Sequence, residues 1–505
     1  MNLHSNSGSA GIVGLTIVCA AMLATQTLLL DTSEAQQLSA DERDQLNRAA
    51  MTVIQSSSIS MATFRRVTHI SLPVDAIPNS SSINIQFFDD GPPLVLTRDS
   101  VATTTEGAVY WVGHVGANAT NNRVLLVIKN GNIVGSIQSN KIVYQIRPLR
   151  NPQRNIHTIY EIDQTKFLPE HDGGPPRLPP RRSSGPATLS PVIASASIVH
   201  PFAGITLASG SAATTVDLLV VYGQDVISQA GTTIDMEIDH AVLQANQAFT
   251  DSGINLFLCL VDRVPRADYT GTGVLSQDLD CLLLIDDPSI CGVSAAVPAI
   301  RSRRDTSNVD LVSVWVEQGG QCGFAYDNDG TAMDPELAYS VIARSGPTCT
   351  TTNYSVAHEL GHTMGLRHDR FDSNVRNLNN GKLNYGHFNN SSAVQERTIM
   401  GTQGSSNGSE QTPSCPGSIS NCWCEFCSRN GRWSNPSLNY SGDGAMGIAI
   451  ATDPSNAANN AAALEGNKST VAAFRTASGM VNACKNAIQS TDTTPPAAPQ
   501  NLTIR

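Results

Sequence analysis

His358-Glu359-Leu360-Gly361-His362-Thr363-Met364-Gly365-Leu366-Arg367-His368-Asp369 is the stretch around which the rest of this sequence is read. His358 and His362 lie four residues apart, so on a helix both imidazoles leave one face a turn apart, close enough to share one metal ion. Gly365 can adopt a positive φ and end that helix, and the returning chain brings His368 in as a third nitrogen donor. Three imidazoles leave a fourth position open for water, the pattern of a catalytic rather than a structural zinc site. Glu359 sits between the helical histidines, where its carboxylate reaches the water instead of the ion. Zinc lowers the pKa of such a water from roughly 15.7 to about 7, and the carboxylate takes the remaining proton and later passes it to a leaving amine. The chemistry these residues support is amide hydrolysis without a covalent intermediate.

Working outward, residues 216–222 form a continuous apolar run, and residues 234–249 carry apolar side chains at helical spacing before Ser252-Gly253 stops them. Strand-like runs recur at 256–261, 309–316 and 337–343, and 458–473 reads as a closing helix. Strands interleaved with helices predict an α/β (α+β) domain whose helices pack on a twisted mixed sheet. Further upstream, alternating segments at 83–88, 108–112, 124–128 and 141–146 predict a small β-rich domain. The proline-rich, arginine-bearing stretch 173–182 cannot join a core. It is expected to be an exposed linker suited to a processing protease.

The whole chain of 505 residues is 40% hydrophobic and 15% charged, which excludes full disorder and leaves room for two or three domains. With 39 Gly and 26 Pro it is loop-rich, not a helical array. The net charge of −11 comes from the part beyond residue 190, which has 17 Lys/Arg against 29 Asp/Glu and no basic run. Nucleic acid is therefore not an expected partner. Residues 11–30 are apolar and Ser33-Glu34-Ala35 offers a cleavage site, so 1–35 is expected to be a signal peptide and the protein secreted. No later run has spanning length, and no membrane partner is expected once the signal is removed.

Cys259, Cys281, Cys291, Cys322, Cys349, Cys415, Cys422, Cys424, Cys427 and Cys484 all follow the leader; an even number in an exported chain implies disulfides of open connectivity. The cluster from Cys415 to Cys427 has a four-thiolate zinc site as its alternative.

The HExxHxxGxxH stretch resembles the signature of the metzincin zinc metalloendopeptidases, and Asp369 after it is typical of their reprolysin/adamalysin-like branch. The resemblance implies a methionine turn beneath the metal, which Thr398-Ile399-Met400-Gly401 matches with Met400. It also makes Gly365, Asp369 and Met400 structural residues of the site. Cys322-Gly323-Phe324-Ala325-Tyr326 is similar to the edge strand ahead of the zinc helix, so Gly323, Phe324 and Ala325 are expected to pair with an extended substrate backbone. Residues 432–436, Tyr440, Gly447 and 471–475 are similar to the end of the catalytic domain in bacterial relatives that include the peptidyl-Asp metalloendopeptidases. Segments around 110–115, 135–137 and 143–146 resemble reprolysin-like propeptides.

The implied organisation is a signal peptide (1–35), a propeptide-like β-rich domain (36–170), a processing linker (171–212), the zinc protease domain (213–480) and a tail (481–505) that resembles the start of a fibronectin III module. The implied function is a secreted endopeptidase, made as a latent zymogen, with one catalytic Zn2+ held by His358, His362 and His368, and Glu359 as base. Structural Ca2+ is compatible but has no motif, and the oligomeric state is not readable. Residues 36–258 contain no cysteine, so a thiolate cannot maintain latency. Asp163, Glu170 and His171 are the candidates for that role. A preference for an acidic residue after the scissile bond would need a cation, for which Arg344, Arg397 and Lys382 are candidates. The insertion 401–432 departs from the family pattern near that pocket. The alternative function is a catalytically silent binding or adhesion protein on a metzincin scaffold.

Overall fold

Period-two alternation upstream of the linker becomes eight strands: β1 (Phe64–Ser71), β2 (Ser80–Ile85), β3 (Leu94–Thr103), β4 (Val109–Val115), β5 (Arg123–Lys129), β6 (Asn132–Ser139), β7 (Ile142–Pro148) and β8 (Ile156–Ile162). They form an antiparallel meander from β2 to β8, with β1 returning beside β8. Two tight turns set its register. Asn130 and Gly131 (φ 51° and 73°) join β5 to β6, and Asn140 and Lys141 (φ 48° and 68°) join β6 to β7. Two consecutive positive φ values match the twist of a hairpin, which is why Asn-Gly is favoured there.

The computed structural model describes residues 64–168, 213–475 and 500–504, except 105, 117–121, 150–154, 284–295, 330–331, 345–347, 374–377, 392–393, 403–426 and 441–443. The expected signal peptide, Glu170, His171, the linker, Cys415, Cys422 and Cys424 lie outside these residues. All the described residues belong to one compact unit.

After the linker come β9 (Thr214–Gly223), α1 (Gln224–Ala230), α2 (Ile234–Asp251), β10 (Leu256–Arg266), α3 (Leu275–Leu282), α4 (Ala296–Thr306), β11 (Leu311–Val316), β12 (Gly323–Ala325), β13 (Tyr339–Ala343), α5 (Thr348–Thr351) and α6 (Ser355–Thr363). The sheet order is β10-β9-β11-β13-β12, parallel except for the antiparallel edge strand β12. Strand β11 is buried along its whole length and β9 along all but its first residue, as parallel strands covered on both faces must be. The expected mixed α/β layer is therefore present. Short strands β14 (Phe388–Asn389), β15 (Glu396–Arg397), β16 (Ser428–Arg429), β17 (Asn435–Asn439) and β18 (Ala445–Met446) follow, then α7 (Asn460–Val471). The segment resembling the start of a fibronectin module instead gives β19 (Gln500–Ile504), which pairs parallel with β2 at the edge of the N-terminal sheet.

Helix α2 has 18 residues, of which 14 are buried, including Glu237, Asp239, His240 and Gln244. A helix lying on one sheet would expose such residues. The reason for their burial is a second layer: β10 packs on one side of α2, and β5 and β6 of the N-terminal sheet pack on the other. Strand β5 is consequently buried on both faces. Leu126 and Ile128 enter the N-terminal core, while Leu125 and Val127 join the core around α2. Each of the latter two contributes on the order of 1.5–3 kcal/mol relative to exposure.

Polar groups are paired across this seam. Arg123 forms an ion pair with Asp251, Arg147 lies 3.1 Å from Glu237, and the Ser136 hydroxyl is 3.1 Å from His240 Nε2. Burial pushes His240 down to about 3 from 6.5. Burial disfavours the Glu237 carboxylate too, but Arg147 and Arg344 outweigh it and hold the group at about 2 instead of 4.5. In both cases the unfolded chain binds more protons over the interval between the two values, so stability rises with pH there. The midpoint of thermal unfolding is expected to fall as pH drops from 6.5 toward 3, with Glu237 adding to the loss below 4.5. A midpoint independent of pH across that window would contradict this assignment.

Candidate metal centre

Helix α6 begins after Tyr354, whose φ is +58°, and ends where Gly365 takes a φ of +91°. There the Leu366 N–H returns to the Gly361 carbonyl at 2.9 Å, satisfying a carbonyl the helix leaves open. A Cβ at 365 would lie 2.7 Å from Nδ2 of Asn467, which donates to the Met364 carbonyl, so glycine is required by space as well as by φ. The chain then turns and places His368 against the two helical histidines.

The three imidazoles converge. His368 Nε2 lies 2.9 Å from His358 Nε2 and 3.0 Å from His362 Nε2, and all three residues are at most 4% exposed. Each Nδ1 faces an acceptor. His358 Nδ1 is 2.8 Å from the Ile399 carbonyl, and His368 Nδ1 is 2.7 Å from Asp372. His362 Nδ1 lies 3.0 Å from the Leu366 carbonyl and 2.7 Å from the Asp327 carboxylate. An Nδ1–H donating outward leaves a lone pair on each Nε2, and three lone pairs aimed at one point repel unless a cation lies between them. Burial, followed by the charges of His368 and Arg429, holds His358 well below its usual value, which favours the neutral, ligating form. The donor set thus fits a divalent metal that accepts imidazole, of which zinc is one.

Met400, Asp369 and strand β12 lie around this centre. Met400 is fully buried, and a Cβ on Gly361 would lie 2.8 Å from its sulfur, so helix and methionine turn touch directly. Asp369 accepts from the N–H groups of Phe371 and Asp372 with one oxygen and from the Thr402 N–H and hydroxyl with the other. It ties the loop carrying His368 to the chain just after Met400. Gly323, Phe324 and Ala325 form the outermost strand β12, and a Cβ on Gly323 would sit 2.5 Å from Oε1 of Glu359. The Cys322–Cys349 disulfide joins that strand to α5. Cys259, Cys281 and Cys427 are disulfide-bonded as well, which removes Cys427 from any four-thiolate zinc site.

Other sequence candidates lie elsewhere. Asp163 caps a short turn by accepting from Thr165 N and pairs with Arg65 at 3.5 Å, which corrects its reading as a metal-blocking group. Arg344 is engaged by Glu237 and Glu317, and Lys382 by Asp329, so neither is placed to read a substrate carboxylate. Arg397 donates to the carbonyls of Cys427 and Gly401. Three residues near the centre escape the sequence reading: Asp327, Asp372 and Arg429. Asp372 carries a legible signal, a carboxylate four residues after His368. Asp327 and Arg429 carry none, because His362 and His358, the histidines they act on, are far from them in the chain.

A profile of the Metallo-peptidase family M12B Reprolysin-like matches residues 235–369, from the start of α2 through Asp369. A peptidyl-Asp metalloendopeptidase of Stenotrophomonas maltophilia is 25% identical over 446 residues, covering 85% of this chain and 92% of the relative. One from Xanthomonas campestris pv. campestris is 26% identical over 400 residues, 76% of this chain and 80% of the relative. One from Pseudomonas aeruginosa is 32% identical over 178 residues, 32% of this chain and 27% of the relative. The matched span contains all three converging histidines and the acid between the first two, and the chain, similar over that span to the reprolysin-like family, is a zinc metalloendopeptidase that acts on protein or peptide substrates.

Proposed function

We propose that the enzyme is exported with its N-terminal β domain attached, is cut in the 171–212 linker, and cleaves chains in front of acidic residues, with His358, His362 and His368 holding the zinc and Glu359 as base. The observation that carries the ligand assignment is the convergence of three Nε2 atoms whose Nδ1 partners orient every ring. When bound, zinc supplies a Lewis acid that acidifies water and polarises the scissile carbonyl. Glu359, buried beside β12, accepts a proton at its carboxylate and returns it to the leaving nitrogen. Strand β12 holds the substrate extended by pairing with its backbone, and Gly323 lets that strand pass close over Glu359. The Leu366 carbonyl and Asp372 fix the rings of His362 and His368 and keep the proton on Nδ1, and the Asp327 carboxylate adds negative charge 2.7 Å from His362 Nδ1.

Support for the acidic preference comes from the relatives named for it. For export, the support is the apolar leader; among the described residues no helix is long and apolar enough to cross a membrane. Secreted protein should carry zinc at one ion per chain and cleave an unstructured protein substrate, and a chelator should stop it. The new peptide termini give the specificity, and the mature N-terminus locates the linker cut. Asp327→Asn is expected to weaken zinc binding by about 10–100-fold, measured by competition with a chromogenic chelator. Unaltered affinity would remove Asp327 from the site.

A further inference from the structure

We infer that the N-terminal β domain is not shed when the linker is cut but stays as the second chain of the working enzyme, fastened to the protease chain along α2 and a second time by the C-terminal strand β19. This rests on the linker cut of the reading above and says what that cut leaves behind. A domain that only covers a site until it is cut away needs a contact it can leave. Contacts of that kind are small, polar and wet, whereas permanent partners share an apolar core.

The seam on α2 is of the permanent kind. Tyr110, Val112, Leu125, Val127 and Val134 of the N-terminal sheet are each at most 8% exposed and belong to the same core cluster as Val242 and Ala245 of α2. Departure would return all five to water. Among them α2 carries Glu237, Asp239 and His240, each 0% exposed. Losing the N-terminal sheet would also take Arg147 from Glu237, Arg123 from Asp251 and the Ser136 hydroxyl from His240. Removing one partner from a buried charge is costly, which makes such an interface slow to part.

The grip extends beyond α2. Gln145 donates to the Thr351 hydroxyl on α5, and Gln164 accepts from the Arg429 N–H on β16 at 3.0 Å. The helix at the centre of the seam packs on β10, whereas β12 ends the opposite edge of the same sheet. The cut therefore need not uncover that edge.

Strand β19 supplies the second attachment. It pairs parallel with β2, Leu502 opposite Ile83 and Ile504 opposite Ile85, and Ile504 enters the N-terminal core at 3% exposure. Because β19 follows the linker in the chain, a cut anywhere in 171–212 leaves it on the protease chain, as a strand added to the other chain's sheet. Strand β2 lies three strands from β5, so the two attachments are separate. When one lets go, the other holds the partner at high local concentration.

The test places a specific protease site in the linker of the full chain and cuts it to completion. A tag ahead of residue 64 holds the N-terminal domain on resin, and release of the zinc-bearing chain is followed by mass and metal content. Both chains are expected to remain in equal amounts after hours of washing, and the bound pair to cleave an unstructured protein substrate. Urea below the unfolding transition then gives wild type a measurable release rate, and a variant lacking residues 500–505 is expected to release about 100-fold faster. Loss of the protease chain from wild type within minutes in plain buffer overturns the inference, as does cleavage that arises only in the released chain. An equal release rate in the shortened variant overturns the second attachment. Zinc-loaded protein that cleaves nothing, bound or released, overturns the endopeptidase reading, whereas separation of the two chains overturns this inference alone.

Discussion

Glu359→Gln is expected to lower kcat/KM by about 10⁴-fold, the upper range for loss of a positioned acid–base group, while zinc content stays at one ion per chain. The amide has the shape of the carboxylate, so packing beneath β12, where a Cβ on Gly323 would already lie 2.5 Å from Oε1, is preserved. It cannot accept the proton, and nothing in the ligand set changes, because all three histidines take their orientation from Ile399, Leu366 and Asp372. Parallel measurement of bound zinc and peptide turnover checks this. A variant that retains zinc and more than a tenth of wild-type turnover would remove Glu359 from the chemistry.

Arg344→Leu is expected to destabilise the fold by about 3–5 kcal/mol, because it leaves two carboxylates behind in a buried site. Arg344 bonds both oxygens of Glu237, at 2.6 and 3.0 Å, and both oxygens of Glu317, at 3.0 and 2.9 Å. Glu237 is wholly buried on α2, and Arg147 would remain as its cation. Denaturant unfolding of the intact chain measures the loss. The same variant, assayed below its midpoint, should keep the wild-type ratio of Asp to Asn cleavage. A collapsed ratio would make Arg344 a reader of the substrate carboxylate.

The histidine centre is legible in the sequence because its geometry is local. Four-residue spacing on a helix, a glycine that can take φ +91° and a third histidine three residues later leave the chain little choice about where the rings go. The strands β9, β10, β11 and β13 are legible for a related reason: buried parallel strands are uninterrupted apolar runs. By contrast, α3 and α4 do not stand out, since eight- and eleven-residue helices beside loops carry weak periodicity. In the N-terminal domain the alternation marks β2, β4, β5 and β7. Strand β6 takes its place from the Asn-Gly turn before it and the Asn-Lys turn after it, a signal that alternation alone does not carry.

The candidates that failed did so because charge in a sequence says nothing of partners. Arg344, Lys382 and Asp163 look alike as lone ionic residues, and only the fold brings Glu237 and Glu317, Asp329, and Arg65 to them.

By itself, then, the sequence determined the metal chemistry, the helix that presents it and the class of sheet behind it, each of which depends on residues within a turn or a strand of one another. Tertiary structure alone decided that α2 is covered from both sides, that two glutamines of the N-terminal domain bond the main chain at residue 429, and that the Asp327 carboxylate lies beside His362. These contacts join residues 35 to 291 positions apart, across separate layers, and no local periodicity records which layers will meet.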